Sequence, residues 1–331
     1  MFQSPDLVKV WIETKGRAIG FELSLCHGRS SDGSAVWIPF GRLPGRPGNL
    51  WRRRLVAVGE PHFDYQDPLL SAGIERDSAY PELWRRLTGE LSRRKLDAAA
   101  LWRLRPDSAG SGFSQDAAVK APFIDLAQSA SWKDYLSQRP ESHRTDVRRR
   151  LRRIAEAGEL QLDVLLPSDV ERAQSELDVM IQRHAERWRD CESELLFRQP
   201  GTRDFYERMI SSLLSTGLIH FSVLRVDARP ISWHFGFLHS GVLSWYKPVY
   251  DPEFERYSPG KLHLAQLIQL GYENGWREID FGGGQEDYKY RWSTGVRPLS
   301  QWNWESRSAT NRVRQFLRRR LGRTPVGEGG T

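Results

Sequence analysis

The sequence predicts a mixed α/β fold in two domains, and three observations lead there. A length of 331 residues exceeds the usual ~100–200 per domain. Short β-branched or aromatic runs alternate with helical repeats along the chain. A composition of 39% hydrophobic and 27% charged residues, with 13 Trp, belongs to a chain that folds.

In the first half, LVKVWI (7–12), FELSL (21–25), AVWIPF (35–40), RLVAV (54–58) and AAALWRL (98–104) read as strands. FGRLPGRPGN (40–49) is an irregular loop by its Gly and Pro content. Pro81 suits a first helical position, and Leu83, Leu87 and Leu91 recur at i, i+4 and i+8, so a helix is predicted over 81–94. DSAGSGFSQD (107–116) reads as a flexible turn. In the second half a helix over 143–157 precedes the strand LQLDVLL (160–166). Ser168 and Glu171 have capping-box spacing and predict a helix running to Arg189, with another over 202–215. Strands at 218–226, 231–238 and 241–249, joined by DARP and HSG, predict an antiparallel meander. A helix over 260–274, the strand REIDF (277–281), a short helix after three glycines and the strand LSQWNW (299–304) complete the pattern.

A net charge of +7 and a pI near 9.5 point to an anionic partner. Cys26 and Cys191 are too few for a disulfide framework and lack the spacing of a zinc or CxxC motif, so both read as reduced thiols. No stretch approaches the ~18 apolar residues of a membrane span, and the start lacks a signal-peptide pattern, which makes a cytoplasmic location the expectation. The triplet Asp280-Phe281-Gly282 invites a kinase reading, but the Gly-rich loop, the VAIK-type strand lysine and the HRD loop of a kinase are all missing.

The second-half order, β-α-α-β-β-β-α-β-α-β, resembles that of the GNAT acyltransferase fold. The segment GLIHFSVLRVDARPISWHFGFLHSGVLSWYKPVYDPEFERYSPGKLHLAQLIQLGYENGWREIDFGGGQEDYKYRW resembles the GNAT acyltransferases associated with bacterial cellulose and exopolysaccharide biosynthesis. SHRTDVRRRLRRIAEAG, HAERW and HFDYQDPL resemble further segments of that family. The resemblance implies tandem GNAT-like folds, an architecture shared with the Fem aminoacyl-tRNA transferases. It divides the chain into a degenerate domain (1–130) that would shape the acceptor cleft, a catalytic domain (131–310) and a basic tail (311–331).

The resemblance also implies acetyl-CoA or another acyl-CoA as co-substrate, with no metal, and direct attack by an amine or hydroxyl in a ternary complex. The acceptor would be a small molecule or saccharide. Unpaired N–H groups where a helix opens at Tyr257-Ser258-Pro259-Gly260-Lys261 would meet the pyrophosphate, although the last glycine and the spacing of the usual GNAT loop are absent; an ordinary Ser-Pro helix start explains the same residues. In LSWYKPVYD, backbone at Lys247 to Val249 beside Pro248 would hold the oxyanion. His234, with small neighbours Ser232 and Gly236 on its strand face, and Asp251 are the candidate proton acceptors; a histidine packed for structural reasons is the alternative. His234 and His239 have opposite strand parity, which argues against a shared metal. Asp280 ends a central strand, and Gly282 to Gly284 let the backbone turn beside a ligand. Lys289, which resembles the lysine of the family's Tyr-Lys-x-x-Trp motif, would bind the carbonyl or an acceptor phosphate; the bland reading is a helix surface with Asp287 and Arg291 paired at i and i+4. Trp188, Tyr246, Tyr288 and Arg291 are assigned to the acceptor.

Two arginine runs, 144–153 and 312–323, read as amphipathic basic helices. Solvated faces explain them, and so would an acidic polysaccharide, tRNA or the inner membrane face. The tRNA belongs to the alternative reading, a Fem-like aminoacyl-tRNA-dependent transferase; a non-catalytic accessory of polysaccharide synthesis is the other. RTPVGEGGT, after Gly322, is expected to be disordered.

Overall fold

A computed structural model describes residues 1–29, 33, 35–44, 53–60, 62–71, 76–106, 115–189, 196–306 and 308. The predicted helix over 312–323, the disordered end, Cys191 and most of the loops at 40–49 and 107–116 lie outside the described residues. The chain forms two compact units, Met1–Val119 with Pro298–Thr331 and Lys120–Arg297. The sequence reading sets its boundaries at 130 and 310.

The first unit opens with α1 (Pro5–Trp11), where a strand is expected. Ser4 Oγ accepts the Leu7 N–H and Pro5 occupies the first turn, so the cap overrides the β-branched run that follows. A π-helical turn (Ile12–Gly16) continues it. Strands β1 (Glu22–Arg29), β2 (Ala35–Arg42) and β3 (Arg54–Ala57) run antiparallel in order, and the two-residue β4 (Leu69–Leu70) pairs with β2. Helix α2 (Arg76–Arg93) leads to β5 (Ala98–Leu104), which is parallel to β3. The last strand among the described residues, β12 (Gly295–Glu305), pairs antiparallel with β5. Ile38, Phe40, Leu55, Leu91, Leu101 and Trp302 build the core of this unit.

The second unit opens with β6 (Gln115–Asp125), followed by α3 (Trp132–Ser137), neither of them expected. Helix α4 (Glu141–Ala155), β7 (Leu160–Val164), α5 (Val170–Arg187), α6 (Thr202–Leu213), β8 (Ile219–Val226), β9 (Arg229–His239) and β10 (Val242–Tyr250) follow the predicted order. The capping box at α5 does not form: Asp169 is the N-cap residue, and its carboxylate accepts the Leu166 N–H. A 3₁₀ segment (Pro252–Tyr257), α7 (Pro259–Glu273), β11 (Glu278–Asp280) and α8 (Asp287–Trp292) complete the unit. Its strand order is β6-β11-β10-β9-β8-β7, with the predicted antiparallel meander β8-β9-β10 and with β11 parallel to β10. Tyr206 of α6 packs on Phe235 on one face of the meander, and His263 of α7 reaches Ser222 and Ser232 on the other.

The connectivity of the second unit repeats that of the first. In each, three antiparallel strands lead through a helix to a strand parallel to the third, flanked by a further antiparallel strand. Among the described residues no helix is long and apolar enough to cross a membrane.

Candidate functional site

Strands β10 and β11 pair at Val242–Glu278, Leu243–Ile279 and Ser244–Asp280, and then part. Beyond Ser244 the β10–β9 register shifts until Lys247, so Trp245 and Tyr246 form a bulge. From there β10 continues to Tyr250 with an edge that β11 does not cover. A parallel pair that opens beside a bulge gives a ligand access to backbone at the centre of a sheet.

The opening is closed off by the glycine turn and α8. Asp280 Oδ1 accepts the Gly282 N–H at 2.8 Å and fixes the turn, in which Gly282 has φ +63°. A side chain at Gly284 would collide with Glu286 and with Lys289 Nζ, so Gly284 answers to close approach and Gly282 to backbone freedom. Lys289 is buried to 7% exposure, with Nζ 2.8 Å from Glu286 Oε1. Arg291 is exposed and has no ion pair with Asp287, which removes the charge pairing that the i, i+4 spacing suggests. Tyr288 spans the split: its hydroxyl accepts the Trp245 indole N–H at 3.2 Å, leaving its own proton for another acceptor. Burial pushes the Tyr288 hydroxyl up to about 12.

At the other end of β10 the chain enters α7 through Ser258, whose φ is +57°. Ser258 O accepts the N–H groups of Lys261 and Leu262, and among the described residues Gly260 N–H meets no acceptor. Arg150 of α4 donates to Ser258 Oγ and, at 2.8 Å, to Asp146, which lies 3.6 Å from Lys261 Nζ. Burial works against Asp146, yet hydrogen bonds from Arg150 and Arg149 hold its carboxyl at about 2. Two cations are thus aimed at one helix N-terminus, with Tyr257 alongside, its ring near Phe254 and under Arg256. The sequence marks six arginines in this helix; only the fold singles out Arg150.

His234 is sealed. It is 0% exposed, its ring stacks on Trp245 at 4.5 Å, and Nε2 accepts the Tyr246 N–H at 3.3 Å. The space predicted beside it for a substrate is filled by Trp245 and His263, and a Cβ on Gly236 would lie 2.4 Å from the His234 ring. Burial, reinforced by His220 and His263, drives the His234 pKa well down, so the ring has lost both the access and the basicity that a proton acceptor needs. Its geometry is that of a positioning residue for the bulge. Below it, Ser232 Oγ donates to Val249 O, so His263 Nδ1 donates to Ser232 and Nε2 accepts from Ser222.

The expected oxyanion donors at 247–249 are also placed differently. Asp251 N–H donates to Ile231 O at 3.0 Å; Lys247 and Val249 share its parity and face β9, and Pro248 has no N–H. Asp251 is 1% exposed, caps the 3₁₀ segment through Glu253 N–H at 3.0 Å, and pairs with Arg183 at 3.6 Å and Arg229 at 3.4 Å. It borders a cavity of about 300 Å³ that Arg183, Glu186, Arg189, Pro252 and Glu253 also line. Tyr246 packs on Phe237 under the Lys247 ammonium, and Trp188, the C-cap residue of α5, lies beneath the Arg187 guanidinium. The structure therefore gathers Trp245, Tyr288, Lys289 and the glycine turn at the split. It places Arg150, Ser258, Gly260 and Lys261 at α7, and withdraws His234 and Asp251 into structural bonds.

A mixed sheet whose central parallel strands part at a bulge, ahead of a helix N-terminus armed with cations, is the fold of the GNAT acyltransferases. Residues 141–290 match the family described as acetyltransferase (GNAT) domain, and the protein is an acyltransferase. No curated protein matches the chain by sequence. Among solved structures, the C-terminal domain of a putative lysylphosphatidylglycerol synthetase from Agrobacterium fabrum is 14% identical and superposes with a TM-score of 0.55, covering 98% of both chains. The structure of L-PGS from Bacillus licheniformis, 14% identical over 97% of both chains, gives 0.54. A conserved protein of unknown function from Bacteroides thetaiotaomicron, 9% identical over 90% of this chain and 88% of that one, also gives 0.54. At these identities the likeness is one of fold.

Proposed function

We propose that the protein transfers an acyl group from an acyl-CoA to an amine or hydroxyl of a small or saccharide acceptor, by direct attack on the thioester. The observation that carries this reading is the pairing of the β10–β11 split with the α7 N-terminus, where Arg150, Lys261 and the unpaired Gly260 N–H suit the donor's phosphates. In this reading Lys289 polarises the carbonyl. The Glu286 carboxylate beside it takes the acceptor's proton, and Tyr288, kept protonated by burial, returns one to the departing thiolate. Asp280 shapes the turn that brings Lys289 there. A link to cellulose or exopolysaccharide synthesis rests on the resemblance of the quoted segments alone.

A second reading draws on the putative lysylphosphatidylglycerol synthetase structure, whose name points to an aminoacyl donor. Arg148, Arg152 and Arg153 on the exposed side of α4 would then serve a nucleic-acid carrier. Calorimetric titration with acetyl-CoA and longer acyl-CoAs, beside titration with aminoacyl-tRNA over a salt series, tests both. Micromolar acyl-CoA binding that Arg150→Ala weakens supports the first reading. Absence of acyl-CoA binding, with tRNA affinity falling steeply in salt, replaces it with the second.

A further inference from the structure

Arg187, the last residue of α5, is held in an unusual way for an exposed arginine. Its guanidinium carbon lies 4.3 Å from the centre of the Tyr250 ring and 4.8 Å from that of Trp188. Tyr250 is itself fixed, because its hydroxyl donates to Glu255 at 3.1 Å. Among the described residues no carboxylate lies within ion-pair distance of Arg187. The neighbouring carboxylates have other partners: Glu255 accepts from Tyr250, Glu186 pairs with Arg183, and Asp251 and Glu253 pair with Arg229. Aromatic faces lock the plane of the guanidinium and, among the described residues, leave its edge, the part that makes paired hydrogen bonds, without an acceptor.

Its position matters as much as its state. Arg187 stands at the end of β10 on the side of α5, near enough to Tyr288 to act on that hydroxyl electrostatically. Burial first, then Lys247 and Arg187, lower the pKa of His184 to about 4, so two cations share this edge with a histidine that stays neutral. The α7 N-terminus, with its own arginine and lysine, borders the same ring: a Cβ on Gly260 would lie 3.9 Å from Tyr250.

We propose that Arg187 is an anchor for an anionic group of the acceptor, a carboxylate or a phosphate, so that the acyl acceptor is an acidic molecule. This rests on the acyltransferase reading above for the acceptor's role, whereas the anion site itself does not. A cation at a helix C-terminus also favours the helix dipole, and that structural role alone would give no preference among ligands.

The test is calorimetric, on the full chain, with paired probes: glucosamine 6-phosphate against glucosamine, and glutamate against glutamine. Wild-type protein is expected to bind the more acidic member of at least one pair ten-fold or more tightly. Arg187→Gln should abolish that difference while acyl-CoA binding is unchanged, and Arg187→Lys should restore part of a phosphate preference and less of a carboxylate one. Which pair responds identifies the anion. The proposal is overturned if no acidic probe distinguishes wild type from Arg187→Gln. Loss of the acyltransferase reading would register separately, as absence of acyl-CoA binding in the wild type.

Discussion

The two units contain the same split and treat it in opposite ways. In the first, β3 and β5 pair at Arg54–Ala98, Leu55–Ala99 and Val56–Ala100, as many positions as β10 and β11 do. There the segment after the third strand, HFDYQDPL, folds back onto β5. Gln66 accepts the Trp102 N–H at 2.8 Å, Asp67 accepts the Arg105 N–H at 2.9 Å and binds its guanidinium, and Asp64 pairs with Arg103 at 3.1 Å. In the second unit the equivalent segment, YDPEFERYSPGK, is capped by Asp251 and turns away into α7, leaving the β10 edge to Trp245 and Tyr288. One fold therefore yields a site only where polar side chains do not plug the opening. A motif that resembles an enzyme family in HFDYQDPL serves here to close a sheet.

The largest test of that contrast is Tyr288→Phe. It removes one oxygen from the open split, and transfer is expected to fall ~100-fold, about 2.7 kcal/mol of barrier, with donor binding little changed. Steady-state kinetics with any competent acceptor decide this, and an unchanged kcat would place the chemistry elsewhere. Next comes Asp67→Ala in the plugged split. Removing a carboxylate that is 5% exposed leaves the Arg105 N–H without its acceptor, at a cost of about 2 kcal/mol. Denaturant melts should show that loss while acyl-CoA affinity stays as in the wild type. Lost affinity with intact stability would mean that the first split also binds ligand.

Much of this was legible in the sequence, and the failures have identifiable causes. Periodicity and turn residues reveal the helices and strands from α4 to α8, because each element there is long or bounded by glycine and proline. Leu7 to Ile12 misleads because it is rich in β-branched residues, although Ser4-Pro5 carries the helix signal. Ser131 and Asp134 likewise mark α3, with Ser131 Oγ accepting the Asp134 N–H at 3.2 Å. β6 escapes because it follows a Gly/Ser-rich stretch and contains Pro122. At the site, Lys289 and the glycines announce themselves by local sequence. Arg150 reaches Ser258 across 108 residues, and Trp245 meets Tyr288 across 43, so no spacing rule finds them. His234 misleads for the opposite reason: strand parity gives its face correctly but says nothing of the helix that covers it.

Arg150→Ala sharpens the contrast from the donor side. It takes one charge from the α7 N-terminus and is expected to weaken acyl-CoA binding ~10-fold, about 1.4 kcal/mol, with a smaller deficit at high salt. Titration at two ionic strengths measures both. Equal affinity in variant and wild type would leave the helix start as a structural turn.

The smallest effect concerns the layer beneath the open split. His220 is 5% exposed, neither ring nitrogen has a hydrogen-bond partner among the described residues, and burial lowers its pKa to about 4. As the pH falls below the ordinary value of about 6.5 the unfolded chain takes up this proton first, so the stability that the neutral ring contributes is complete above about 6.5 and drains away towards about 4. Between about pH 7 and about pH 6 the loss through this residue is ~0.7 kcal/mol. His220→Phe breaks no hydrogen bond and cannot titrate, so the variant should match the wild type near neutrality and gain on it in mild acid. Thermal melts at the two pH values show whether it does. A variant that instead loses ground at both would show that the ring's nitrogens contribute to stability.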